Sequence, residues 1–450
     1  MQVRHVAVTG LVALLVACNS SGDGDSAAKA KARDKSPEQT TTLPTAPENQ
    51  RVDLDKPTFD DPTDVTNPLF PIGNLQSAVL LGNVDGVQLR VETTLLPYTE
   101  TIDVDGEKVE TLVSQYVAYI DGRIEEVAID WYAQADDGAV WYLGEDVKDY
   151  VDGVVDATDE SWRAGEGKGE PFMIMPAHPK VGDVYRPENI PGVVFEEVTV
   201  KAVDVTVAGA NGPVPGAMVG EELHMDGGRE RKTFAPDRGE FASGVAGSVE
   251  DLAVASPADQ LTGPQPAQLT ALAKPPDDVC TAARDGDWPA VASRVAEAKA
   301  AWAAYQRAED VPPLLSAELT RALVRLDGDA LTPAATGHNA TGTCQGAIDV
   351  GIATSDLRLR HEPVTEVDRA RFQLWARQLT LDLTRDEPGL VAGDVATLEL
   401  VRDRLTKALD DAQRTAIDKQ LRALRHAADD EDMAKATKPA QELATLAGQL

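Results

Sequence analysis

A chain of 450 residues with 75 Asp and Glu against 42 Lys and Arg carries a formal charge of −33. Such a polyanion is repelled by nucleic acid and by anionic lipid headgroups, which excludes both as direct partners of its surface. The length suits two folded units, and only three cysteines are present.

Taken from the start, Arg4 precedes an apolar run from Val6 to Val16 that is interrupted only by Thr9 and Gly10. A membrane-spanning helix needs about 20 apolar residues, so this run is too short to span and suits a secretory signal. It ends Leu15-Val16-Ala17-Cys18, which resembles the lipobox of bacterial lipoproteins. The resemblance implies that residues 1–17 are cut away, that the Cys18 thiol carries a diacylglycerol, and that the chain is anchored on the extracytoplasmic face of the cell membrane. Loss of Arg4 with the signal deepens the charge to −34. Residues 18–65 are rich in Ser, Thr, Asp, Lys, Pro and Ala. Few large apolar side chains offset their ordering entropy, so a flexible tether is expected.

Residues 66–257 read as an antiparallel β domain. Five Asp-Gly pairs, Asp85-Gly86, Asp105-Gly106, Asp121-Gly122, Asp137-Gly138 and Asp152-Gly153, mark tight hairpin turns. Strands are expected over Val87 to Ile102, Lys108 to Ile120, Arg123 to Gln134 and Ala139 to Gly144. A Gly- and Pro-rich loop then covers Ser161 to Pro191, and strands resume over Val193 to Val207, Gly216 to Met225, Arg229 to Ala235 and Ser248 to Ala255. The pattern predicts a meander forming a strongly bent sheet or an open barrel, an architecture that could hold an apolar ligand. In Arg123 to Gln134 the residues Val127, Ile129, Trp131 and Ala133 share one face. Glu126, Asp130, Tyr132 and Gln134 share the other, so one buried face is expected. The row Asp130, Tyr132 and Gln134 either lines a shallow pocket or meets water.

Asn67-Pro68-Leu69-Phe70-Pro71, Asp130-Trp131-Tyr132-Ala133-Gln134 and Val140-Trp141-Tyr142-Leu143-Gly144-Glu145, with Ser161 to Gly165 and Met175 to Asp183, resemble a family of exported bacterial proteins with no settled activity. The resemblance covers roughly residues 66 to 245. It implies a shared fold and an extracytoplasmic role and brings no catalytic residues. Where the family has Tyr-Ala-Pro-Gly-x-Gly, this chain has Phe234-Ala235-Pro236-Asp237-Arg238-Gly239.

Candidate binding groups in this half are Asp130, Tyr132, Gln134, Glu145 and His178, with Glu188 and His224 as further polar candidates. Asp130 and Glu145 straddle one turn, so they could meet as an acid–base pair. No GxSxG elbow, HExxH or phosphate loop occurs, and no residue is assigned as catalytic.

Residues 258–276 read as a linker and 277–450 as a helical domain, a bundle or a short helical repeat. Val291, Val295, Ala298, Trp302 and Tyr305 form one stripe after the N-cap candidate Asp287. Further helices are expected over Ser316 to Leu326, Cys344 to Leu359, Glu366 to Thr384, Leu390 to Leu409, Asp411 to Ala428 and Asp432 to Leu450. Acidic turns at 284–287, 385–388 and 428–432 each open a helix, as the helix dipole favours. Phe372, Trp375 and Leu379 fall on one stripe and read as core. Cys280 and Cys344 form the one pair left after Cys18. An oxidising compartment would bridge them, stabilising the fold by roughly 4 kcal/mol in the chain-entropy picture.

His361, Glu362, Asp394 and Glu399, with Glu366, Asp368, Asp382 and Asp403 nearby, could hold a divalent or transition metal inside a bundle. Arg358, Arg360, Arg369, Arg371, Arg402 and Arg404 are equally close, and arginine–carboxylate pairs account for the same residues. The leading expectation is a lipid-anchored, non-catalytic protein that binds a small ligand or an envelope protein, with no cofactor. Metal binding by the helical half and hydrolysis of an envelope polymer are the alternatives.

Overall fold

The computed structural model describes residues 43–245, 248–331 and 338–450. The signal, Cys18 and the first part of the expected tether lie outside the described residues. The strands are β1 (Ser77–Val84), β2 (Val87–Val104), β3 (Glu107–Ile120), β4 (Arg123–Gln134), β5 (Val140–Val151), β6 (Val154–Ala157), β7 (Trp162–Arg163), β8 (Phe172–Met175), β9 (Val184–Ile190), β10 (Val194–Gly209), β11 (Gly212–His224), β12 (Arg229–Ala235), β13 (Gly239–Val245) and β14 (Ser248–Ser256). The helices are α1 (Ala267–Leu272), α2 (Pro275–Asp285), α3 (Trp288–Ala308), α4 (Pro313–Leu331), α5 (Ala340–Arg358), α6 (Val364–Asp382), α7 (Pro388–Arg404), α8 (Asp411–Asp429) and α9 (Met433–Ala447).

The strands form one antiparallel sheet in the order β6-β5-β4-β3-β2-β1-β14-β13-β12-β11-β10-β9, with β7 and β8 added to β5. Two meanders therefore run outward from a central β1–β14 pair. Four of the Asp-Gly turns have positive φ at both residues: Asp85 (51°) and Gly86 (80°), and likewise at 105–106, 121–122 and 152–153. That is the backbone of a type I′ hairpin turn, whose twist matches that of the flanking strands. At 137–138 only Gly138 has positive φ. The sheet curls without closing. At its ends Trp162 Nε1 of β7 donates to Glu188 of β9.

The region read as a loop, 161–191, departs from expectation, because it contributes β7, β8 and β9. Its glycines and prolines break it into short pieces, and pairing with β5 and β10, not local pattern, orders them. Residues 43–65, assigned to the tether, are likewise ordered. Val52 N–H bonds to Val184 O at 2.9 Å, Arg186 N–H to Asp53 Oδ2 at 2.9 Å and Ala46 N–H to Glu197 Oε1 at 2.7 Å. The segment thereby covers the outer edge of β9, where backbone groups would otherwise be unpaired. Part of the expected linker is also structured: α1 buries Leu269 and Leu272 against α3 and α5, and Asp259 accepts from Arg238 and from Ala255 N–H.

The helices lie on the outer face of the sheet. Val79, Leu81 and Val254 pack among α1 to α6, and Val117, Tyr119, Ile124, Val127 and Tyr150 pack against α6 to α9. Tyr119 and Trp375 stack with centroids 5.6 Å apart. The stripe Phe372, Trp375 and Leu379 is core, as expected, and so is the α3 stripe from Val291 to Tyr305. Asp287 and Asp432 cap their helices through Ala290 N–H (3.1 Å) and Lys435 N–H (3.0 Å), whereas Glu387 makes no such bond. Cys280 of α2 and Cys344 of α5 are disulfide-bonded, Cα atoms 4.7 Å apart.

The seam between sheet and helices carries a buried ionic network. Arg90 and Glu92 of β2 meet Asp356 of α5, Asp368 and Arg371 of α6 and Arg404 of α7. At another point on the seam the β5–β6 turn touches the start of α7. A Cβ on Gly389 would lie 2.0 Å from Asp152 O, and one on Gly153 2.0 Å from Gly389 O. Gly389→Ala must push the helix off the turn, and we expect a loss of about 1–3 kcal/mol in denaturant unfolding. A loss below a few tenths would show that this contact gives way freely.

Candidate functional site

The face of β4 carrying Asp130 and Tyr132 was expected to meet water or line a shallow pocket. It meets neither bulk water nor helices. The helices cover the Val127 side, and the curl of the sheet encloses the other, leaving Asp130 and Tyr132 at 6% and 8% exposure. The single buried face read from alternation is thus corrected to two. The enclosed space is a cavity of about 120 Å³ whose lining includes Phe70, Tyr116, Asp130, Tyr132, Tyr142, Glu188, Glu196, Glu222, Lys232, Phe234, Arg238, Glu240 and Glu250.

Strand alternation alone would place Tyr142 and Glu145 on opposite faces. A register shift opposite Trp131–Tyr132, with Gly144 at φ 141°, turns both inward. A Cβ on Gly144 would lie 2.6 Å from Trp162 O, so the close approach of β7 also requires glycine there. Tyr132 then faces Tyr142, with rings stacked at 4.8 Å, and Asp130 faces Glu145.

Tyr142 Oη lies 2.7 Å from Asp130 Oδ1 and 3.0 Å from Glu145 Oε2. A phenol donates one proton, so a protonated carboxyl must supply the second bond. Electrostatics agrees. Burial pushes Asp130 up to about 7 against the hydrogen bonds of Tyr142 and Tyr132. Burial, with the charge of Asp130, pushes Glu145 up to about 8. Glu188 is also driven well above the carboxylate range by burial and by the charges of Glu145 and Glu196. An acid–base couple needs two groups moved apart; here both members move the same way.

The second cluster lies on β10 to β14. In register, Glu196 stands opposite His224 and Glu222 opposite Glu230. Lys232 Nζ contacts Glu222 Oε2 at 2.5 Å, and Ser243 donates to Glu230. Burial opposes both charges of the Glu196–His224 pair. The hydrogen bond between them and the charge of Lys232 nonetheless take Glu196 down to about 2. Glu196 and Glu230, each with an oxygen 3.5 Å from a ring nitrogen, lift His224 to about 10. Burial, then the charge of Glu196, raises Glu222, and burial raises Glu240 to about 7.

Of the residues singled out from sequence, Asp130, Tyr132 and Glu145 are brought together, with Glu188 beside them and His224 in the second cluster. Gln134 is an anchor: its Oε1 accepts from Thr66 and Asn67 N–H at 2.8 and 2.9 Å. His178 is exposed on a bend away from these groups. Glu196, Glu222, Glu230, Lys232, Glu240 and Glu250 were missed. The signal was available in β11 and β12, where Glu222, Glu230 and Lys232 share parity with buried Met218 and Phe234.

The four metal candidates of the helical half are dispersed. His361 Nε2 lies 3.0 Å from Tyr305 Oη. Glu362 pairs with Arg358 at 2.6 Å, Asp394 with Arg123 at 3.3 Å and Glu399 with Arg425 at 2.6 Å. Arginines engage all three carboxylates, but only Arg358 is among those expected from sequence; Arg123 comes from the sheet and Arg425 from a later helix. Among the described residues, the His, Cys and carboxylate group close enough to share an ion is Glu222, His224 and Glu230.

No protein-family model matches the chain, and no curated protein matches it. Fold and site together define a class: an open antiparallel sheet, backed by helices, around a small acidic cavity. No helix among the described residues is long and apolar enough to cross a membrane.

Proposed function

We propose that this is an extracytoplasmic lipoprotein, anchored through Cys18, that binds a small organic cation in the cavity of its sheet without catalysing a reaction. One observation carries the ligand class. Six carboxyl groups line the cavity, Asp130, Glu188, Glu196, Glu222, Glu240 and Glu250, against Lys232 and Arg238. Burial raises all six but Glu196, so a bound cation would displace their protons. Arg238 is already engaged by Asp259 at 2.7 Å. Aromatic rings from Phe70, Tyr116, Tyr132 and Tyr142 share the lining, and ring faces attract cations. A volume of about 120 Å³ suits an amine of a few heavy atoms and is far too small for a lipid chain. The lipobox-like Leu15 to Cys18 supports the anchor.

The test is a thermal-shift titration of the full chain with ethylamine, putrescine and choline at neutral pH, backed by native mass spectrometry. A saturable rise in melting midpoint that disappears in the Asp130→Asn, Glu188→Gln double variant is the expected result. No shift with any amine, and no small molecule carried through purification, would remove the ligand reading. Palmitate labelling that persists after Cys18→Ser would remove the anchor.

A further inference from the structure

We propose that Glu222, His224 and Glu230 form a binding site for a divalent transition-metal ion of the zinc class, beside the turn joining β11 to β12. The site lies apart from the Asp130–Glu145 end of the cavity and does not depend on the amine reading.

Three observations support it. First, His224 Nε2 and Glu230 Oε2 face each other at 3.5 Å, are shielded from solvent, and make no hydrogen bond. Ligand bonds of ~2.1 Å in a tetrahedral zinc site place donor atoms ~3.4 Å apart, so this separation is that of two ligands of one ion. Glu222 offers a third oxygen, all donors lying within 4.8 Å of one another. A nitrogen with carboxylate oxygens favours zinc and its neighbours over calcium or magnesium.

Second, the supporting shell is in place. Glu196 Oε1 lies 3.5 Å from His224 Nδ1, the arrangement by which a carboxylate orients a metal-bound imidazole. Ser243 holds the other oxygen of Glu230, and Lys232 holds Glu222.

Third, two carboxyl groups are brought face to face. Glu222 and Glu230 are directly opposite on a buried face, a repulsive arrangement unless something positive intervenes.

The experiment is titration of the purified full chain with Co²⁺, then Zn²⁺. The expected result is one equivalent of Co²⁺ giving visible absorption bands of a nitrogen–oxygen site, displaced by Zn²⁺, with a raised melting midpoint. His224→Ala and Glu230→Gln should each weaken binding by at least ~100-fold, and Glu196→Gln by ~10–100-fold. Glu230→Gln can still accept from Ser243, and circular dichroism reports that it folds. His361→Ala should leave the bands unchanged. So should the Asp130→Asn, Glu188→Gln variant, which separates this proposal from the amine reading. Absence of stoichiometric bands in the wild-type chain, or bands that survive both His224→Ala and Glu230→Gln, overturns the proposal.

Discussion

Arg371→Ala should cost about 3–5 kcal/mol in equilibrium unfolding, as expected when one member of a buried ion cluster is removed and its partners stay behind. Arg371 is 1% exposed. Its guanidinium lies 2.9 Å from Asp356, 3.3 Å from Asp368 and 3.6 Å from Glu92. Burial opposes ionisation of Glu92, yet Arg371, Arg90 and Arg404 together hold it well below the usual carboxylate range. Removing Arg371 therefore strands negative charge between sheet and helices. Because Glu92 is on β2 and the other two acids are on α5 and α6, the seam itself weakens. The wild type should unfold in one transition and the variant in two, with the helices loosening first, as read by denaturant melts at separate tryptophans. Arg371→Lys keeps the charge and loses the planar fork, so it should fall between the two. A cost below 1 kcal/mol for the alanine variant would mean that apolar packing alone joins the two halves.

Raising the pH through the neutral range should destabilise the fold, and Asp130→Asn should blunt that effect. Asp130 rises from an ordinary 3.8 to about 7 in the folded chain because burial disfavours its charge. A carboxyl raised by folding contributes stability that is complete below its unfolded value and lost as pH climbs through its folded value. The window is therefore about pH 4 to 7 for Asp130, and Glu145 extends it to about 8. At ~1.4 kcal/mol per pH unit, Asp130 alone accounts for up to ~4 kcal/mol. General repulsion at −33 also grows with pH, so the comparison is between slopes. From pH 5 to 9 the wild type should lose ~3 kcal/mol more than Asp130→Asn, because about two units of the Asp130 window remain above pH 5. Parallel slopes would mean that Asp130 is charged or solvated in the folded chain.

The legible parts of the fold are those set by neighbours in sequence. β4 and β12 were located to the residue, because strong alternation between clear turns leaves little choice of register. β1 and β13 were missed. β1 packs on both faces and is buried nearly throughout, so it shows no simple alternation, while β13, Gly239–Val245, alternates in burial but is made largely of small residues that carry little apolar signal. In the candidate site, Asp130 and Glu145 could be placed near each other from one Asp-Gly turn. Glu188 could not, since it reaches them only when the sheet curls. Glu196, Glu222 and Glu230 resembled surface acids in a chain with 75 carboxylates.

The amino-acid order by itself determined the hairpin ladder, the helices from α3 onward and the pairing of Cys280 with Cys344. Each depends on a backbone preference, a period or a count that a short window or simple elimination reveals. Tertiary structure alone decided which side of β4 faces a cavity. It also decided that Asp394 and Glu399 answer to Arg123 and Arg425, and that Glu92 meets Arg404 312 residues away. Those outcomes depend on which surfaces exclude water together, and desolvation is a property of the assembled sheet and helices, not of any segment.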